Sequence, residues 1–189
     1  VEIDLDKRID LNKFGLLLLD PIFYDIENAR LKEIRSAAEE RGVKIRIHLP
    51  WCAINNNGKI KDLTFADPED LKYFVKAIEI AKTLGAKTAL FHINWSLSDD
   101  EIKGIVELVK KAKDLDITLI TENGFGAMPG EFGNLFHIFQ SSIYINPMVY
   151  IEQIERIMKA IKDKEGKDSN KYLEHFAIGF DIAHAALAY

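Results

Sequence analysis

The stretch "AKTALFHINWSLSDDEIKGIVELVKKAKDLDITLITEN", residues 86–123, decides the fold. It opens on a short apolar run (86–94) and closes on another (116–123), and the segment between them carries helix signals at both ends. Ser98 and Glu101 form a capping box, in which each side chain satisfies a backbone N–H left open at a helix start. Acids fill the first turn and lysines the last, which complements the helix dipole. Ile102, Ile105, Val106 and Val109 recur at helical spacing and make one apolar stripe. Two strands joined by a helix lie parallel, because the helix returns the chain to the starting edge of the sheet.

The same pattern repeats on either side of this unit. In "DPEDLKYFVKAIEIAKTLG" (67–85), Asp67 is placed to cap, and Pro68 takes the first helical position, where a missing N–H costs nothing. Leu71, Phe74, Val75, Ile78 and Ala81 form the stripe, and Gly85 suits the left-handed residue that ends a helix. "NPMVYIEQIERIMKAIKDK" (146–164) repeats the scheme with Asn146, Pro147, and a stripe of Ile151, Ile154, Met158 and Ile161. An earlier helix is expected over about 25–41, carrying Ile26, Ala29, Ile34, Ala37 and Ala38 and ending before Gly42. Further strands are expected in "VKIRIHLP" (43–50) and "HFAIGFDIAH" (175–184).

Strands alternating with helices form a parallel sheet. Helices on one face of a closed sheet make a TIM barrel, and helices on both faces of an open one make a doubly wound fold. Period alone leaves both open. Two connections are long: 50–67, with "AINNNGKIKD", and 123–146, with Gly124, Gly126, Gly130, Gly133 and several aromatics. Both follow strands, on the side where α/β proteins build their sites. "KDKEGKDSNK" (162–171) lies on the opposite side and reads as a solvated connection.

A chain of 189 residues, 48% hydrophobic, is one domain's worth and fills a core. A net charge of −5 and an isoelectric point near 5.6 supply no basic footprint for nucleic acid. The single cysteine, Cys52, excludes an internal disulfide framework and fits a reducing cytosol, so a cytoplasmic location is expected. The longest apolar run, "FGLLLL" (14–19), is far short of the roughly 20 residues a membrane helix needs. No basic region precedes an apolar one at the start. The chain begins at Val1, already inside the strand-like run "VEIDLD", which suggests a fragment or processed piece.

The chemistry concentrates where the strand runs stop. His48, His92, Glu122, and then Asp181 with His184 each stand at a strand end. The ends of parallel strands converge on one rim, which would gather these five side chains. Imidazole and carboxylate are the ligand set for Zn²⁺ or Mn²⁺. Taken singly, each has a plainer role, as a hydrogen-bonded histidine or a carboxylate capping its own loop. Three of five histidines, with a Glu and an Asp, fall at the same structural position, and that coincidence points to a shared site. His137 and His175 stand elsewhere and are left out.

"IRIHLPWCAIN", "ALFHIN", "LITENGFG" and "GFDIAHAALAY" resemble successive strand ends of the xylose isomerase-like TIM barrels, a superfamily that includes sugar phosphate isomerases/epimerases and endonuclease IV. The likeness spans nearly the whole chain through short motifs, of which the strand followed by D-x-x-H-A is the most specific. It implies a single domain over 1–189, truncated at both ends, with about strands 2–6 of eight. Val1–Asp6 would be the second strand and "GFD" the sixth. A full barrel runs to about 250 residues, so the length agrees. An incomplete barrel would have to cover its open edges by association, for example as a homo-oligomer.

By this resemblance, Glu122 and Asp181 are metal ligands in both branches, and in the sugar epimerases Glu122 is also an acid/base group while His184 contacts substrate oxygens. In endonuclease IV the positions of His48 and His92 bind one zinc, Glu122 bridges to a second, and Asp181 and His184 serve the second and third. Trp51 and Asn123 would bind substrate, Trp51 by stacking on a sugar face. The reading preferred is a metal-dependent sugar or sugar-phosphate isomerase/epimerase, using Zn or Mn and moving a proton beside a polarised carbonyl. The alternative is a zinc-dependent endonuclease at abasic sites. The pair His48 and His92 favours it; the turn "LPWC" and the scarcity of Arg and Lys in the loops oppose it. A third reading is a non-catalytic partial barrel kept as a scaffold.

Overall fold

The computed structural model describes residues 2–3, 9–10, 27–50, 52–54, 60–93, 96–123 and 147–179. Its centre is a four-stranded parallel sheet of β3 (Ile47–His48), β6 (Thr88–Ile93), β7 (Thr118–Asn123) and β8 (Phe176–Ile178), adjacent in that order. The helix α1 (Asn28–Glu40) precedes β3, and α2 (Pro68–Thr83), α3 (Asp99–Asp114) and α4 (Pro147–Glu165) lie between successive strands.

Burial decides between the two sheet architectures. Along β6 the residues alternate, with Ala89, Phe91 and Ile93 buried and Thr88, Leu90 and His92 half-buried. In β7, Leu119 and Thr121 are buried while Thr118, Ile120 and Glu122 are half-buried. A doubly wound sheet is covered on both faces and its strands are buried throughout. Here the buried residues of all four strands join one core with Leu31 and Ile34 of α1, Phe74 and Ile78 of α2, Ile105 and Val109 of α3, and Ile157 and Ile161 of α4. The described helices therefore lie on one face, as in a barrel. Each large apolar side chain so buried contributes roughly 1.5–3 kcal/mol, which is what holds the helices to the strands.

The helix ends follow their capping residues. Asp67 accepts from the Glu69 N–H, Pro68 begins α2, and Gly85 takes φ +75°. Ser98 and Glu101 make the reciprocal capping box of α3.

Several expectations are corrected. The connection 50–67 is not loop throughout: β4 (Cys52–Ile54) and β5 (Ile60–Asp62) pair antiparallel as a hairpin, with Cys52 and Ala53 buried. The segment 162–171 is not a bare connection, since α4 runs on to Glu165 and a 3-10 turn (Gly166–Asp168) leads into α5 (Ser169–Leu173). Glu2–Ile3 (β1), expected within the second barrel strand, pairs antiparallel with Ile9–Asp10 (β2) and not with the parallel sheet; the short separation in sequence makes that local pairing the nearer one. In α4 the buried stripe is Tyr150, Gln153, Ile154, Ile157 and Ile161, with Ile151 turned outward at 45% exposure. In α1, Ala29 is exposed and Leu31 takes the core position.

Candidate metal centre

Strand parity puts three of the expected ligands on the open face of the sheet. His48 pairs with Leu90, and His92 pairs with Glu122, so His92 stands between the other two strands. All three are half-buried, on the face opposite Phe91 and Leu119. His48 is the last residue of β3, and His92 and Glu122 are the last but one of β6 and β7, so the side chains reach the rim without any loop having to deliver them.

The distances are short. His48 Nε2 and His92 Nε2 are 3.3 Å apart, and the rings meet edge-on, with centroids 4.7 Å apart and planes at 73°. His92 Nε2 lies 3.7 Å from Glu122 Oε2. The three ligand atoms all fall within 4.8 Å of one another, the one such group of His, Cys, Asp and Glu among the described residues.

The His48 tautomer follows from its other nitrogen. Nδ1 sits 2.7 Å from the carbonyl of Leu49, which only accepts, so Nδ1 carries the proton and Nε2 presents its lone pair to the cluster. Zinc-binding histidines are oriented by just such a bond from the second nitrogen. Two imidazole nitrogens held tetrahedrally at about 2.0–2.1 Å from one zinc stand roughly 3.3–3.4 Å apart, which matches the histidine pair. The donor set and spacing therefore fit a divalent ion. With no ion, the same 3.3 Å serves as a hydrogen bond from His92 Nε2–H to His48 Nε2.

A second group of residues supports this rim from behind. The Tyr150 hydroxyl, on α4, donates to the Thr121 carbonyl at 2.8 Å and lies 3.3 Å from the Gly179 carbonyl. The Gly179 N–H donates to the same Thr121 oxygen at 2.7 Å. Burial pushes the Tyr150 hydroxyl above its ordinary range, and the charge on Glu122 adds to the effect. One turn on, Gln153 Oε1 accepts from the Leu97 N–H, and Arg156 donates to the Leu97 carbonyl and pairs with Asp99 at 2.9 Å. These residues escaped the sequence reading, although Tyr150 and Gln153 stand at helical spacing with Ile154, Ile157 and Ile161.

Asn123 ends β7 as the register partner of Ile93. Trp51, Asp181 and His184 lie outside the described residues, as does His137. His175 is at the far end of the sheet, its Nδ1 2.9 Å from the Ile117 carbonyl.

No protein-family model matches this sequence, and neither does any curated protein. Among solved structures, the chain superposes on a D-tagatose 3-epimerase-like protein with a TM-score of 0.52 at 20% identity, covering 84% of this chain and 52% of that one. The likeness shows the fold, a TIM-barrel-type parallel sheet with its helices. A xylose isomerase-like TIM barrel protein from Mycobacterium smegmatis, in complex with magnesium, matches at a TM-score of 0.46 and 15% identity over 92% of this chain and 57% of that one. The TTHB071 protein from Thermus thermophilus, soaked with ZnCl2, matches at 0.49 and 20% over 88% and 56%. The chain thus spans about half the length of the barrels it matches. Among the described residues no helix is long and apolar enough to cross a membrane.

Proposed function

We propose that this chain carries metal ligands of a sugar or sugar-phosphate isomerase/epimerase, with His48, His92 and Glu122 joined by Asp181 and His184. The observation that carries the proposal is the cluster itself: two imidazoles 3.3 Å apart and a carboxylate 3.7 Å from one of them, on the open face of a barrel sheet. Zinc or manganese is the expected ion, and when bound it polarises a carbonyl and the neighbouring hydroxyl.

The chain's own residues supply the rest. Glu122 has two carboxylate oxygens, so one can serve as ligand while the other takes the proton from the carbon beside the carbonyl. The C–H electron pair becomes the second bond between the two carbons as the carbonyl pair moves onto oxygen. Protonation of the same carbon from the opposite face gives the epimer, and protonation of the former carbonyl carbon, with the hydroxyl proton passing between the two oxygens, gives the isomer. Glu122 is 17% exposed, shielded enough for its charge to act at short range. His184 would hold substrate oxygens, Trp51 would stack on a sugar face, and Asn123 would contact a hydroxyl.

The test is proton exchange. Protein loaded with Zn²⁺ or Mn²⁺ is incubated in D₂O with a panel of ketoses and ketose phosphates, and deuterium beside the carbonyl is read by NMR. The proposal expects incorporation that Glu122→Gln abolishes. Cleavage of an abasic-site duplex without sugar exchange would replace it with the zinc endonuclease reading, which the pairing of His48 with His92 also suits.

A further inference from the structure

Glu122 owes its position to the peptide that precedes it. The Thr121 carbonyl belongs to the same rigid plane as the Glu122 N–H, so whatever holds that oxygen sets the direction in which the Glu122 side chain leaves the strand. Two donors hold it: the Gly179 N–H at 2.7 Å and the Tyr150 hydroxyl at 2.8 Å. The first is an ordinary rung between β7 and β8. The second comes from a helix behind the sheet and is not needed for strand pairing.

Tyr150 is 7% exposed, so a Phe there would fill the same space without burying a hydroxyl. That hydroxyl reaches both strand ends, with the Gly179 carbonyl at 3.3 Å. Gly179 in turn lies against the ligand: a Cβ there would come within 2.9 Å of Ile120 Cγ2 and 3.1 Å of Glu122 Cγ. The Glu122 stem is thus confined from β8, and its backbone from α4. On the same helix, Gln153 and Arg156 tie down Leu97 and Asp99, which follow the strand that bears His92.

We infer that Tyr150 is a positioning residue for the metal ligand Glu122, acting through the Thr121 carbonyl; the inference rests on the metal reading above. Removing the hydroxyl leaves the peptide plane held by the Gly179 N–H alone, widens the range of the carboxylate beside His92, and weakens the ion without emptying the core.

The experiment compares Zn²⁺ and Mn²⁺ affinities of the unsubstituted chain, Tyr150→Phe and Ile161→Val by chelator competition. Each protein is held at the same interval below its own thermal midpoint. Ile161 is fully buried in the same helix but remote in sequence from Tyr150, so Ile161→Val reports what lost packing alone does. Tyr150→Phe is expected to bind about tenfold more weakly than the unsubstituted chain, with Ile161→Val unchanged. Equal affinity in Tyr150→Phe and the unsubstituted chain would overturn this inference alone, as would an equal loss in both variants. Absence of binding by the unsubstituted chain would overturn the metal reading and this inference together.

Discussion

His92 and Glu122 are register partners on adjacent parallel strands, and their facing atoms, Nε2 and Oε2, stand 3.7 Å apart. A sheet rung brings them together, so the pair is as rigid as the strands that carry it. An ion bound there is bound by the folded state only, and that sets the first expectation. At a metal concentration 100 times Kd the stabilisation is about 2.7 kcal/mol, which for a chain of this size raises the thermal midpoint by roughly 5–10 °C. Calorimetry with and without Zn²⁺ or Mn²⁺ checks this, and His92→Ala should remove the increase.

Among the described glycines, Gly104 leaves the least room for a Cβ. A Cβ at this position of α3 would fall 1.9 Å from the Phe65 carbonyl oxygen and 2.9 Å from its carbon. Ala in place of Gly ordinarily favours a helix by up to about 1 kcal/mol. Here backbone, not a flexible side chain, stands in the way, so overpacking wins. Gly104→Ala should destabilise by about 3 kcal/mol, measured as a lower denaturant midpoint; a midpoint at or above that of the unsubstituted chain would contradict the close approach.

Ser98 and Glu101 close the start of α3 with bonds of 2.8–3.2 Å. Ser98→Ala should cost about 1 kcal/mol and lower the midpoint by about 2–4 °C, while leaving metal affinity alone. A change in affinity would show that the cap reaches the rim through the loop after β6.

Acid stability follows from four aspartates, Asp67 half-buried and the others exposed, held below their ordinary range. Asp67 is held chiefly by the Glu69 N–H and then by Lys61; Lys103 does the same for Asp100, Lys87 for Asp116 and Lys171 for Asp168. Unfolded, these carboxyls take protons near pH 4, and folded they resist until lower pH, so the unfolded chain binds more protons in that window. Their contribution is complete above about pH 5 and is lost as the pH falls through the folded values. The thermal midpoint should drop as the pH falls below about 5, and less steeply in high salt, which screens the lysine partners.

The fold was largely legible because capping and periodicity are local signals. Asp67–Pro68 and Ser98–Glu101 mark helix starts by their own chemistry, and the strand–helix alternation implies the parallel sheet. What local pattern could not decide was which face the helices cover, since that depends on contacts between β6, β7 and four helices at once. The hairpin at 52–62 was missed because its turn and its pairing residues read as one polar connection. That His48, His92 and Glu122 would lie together was legible because each stands at or next to a strand end, and parallel strands turn like positions to one rim. Tyr150 was not found: its role depends on a hydroxyl reaching a backbone carbonyl 29 residues away, which no spacing rule encodes. The phase of α4 shifted for the same reason, with buried Gln153 taking a place that apolar periodicity assigns to Ile151.

The central claim is that His48, His92 and Glu122 share one ion. Titration of metal-stripped protein with Zn²⁺ and with Mn²⁺, alongside Glu122→Gln, tests it most directly, because Gln keeps the shape of the side chain and removes its charge. The account predicts saturable binding that involves the rings of His48 and His92, weakened by more than about a hundredfold in Glu122→Gln. Binding undiminished in Glu122→Gln, or no binding by the unsubstituted chain, would contradict it.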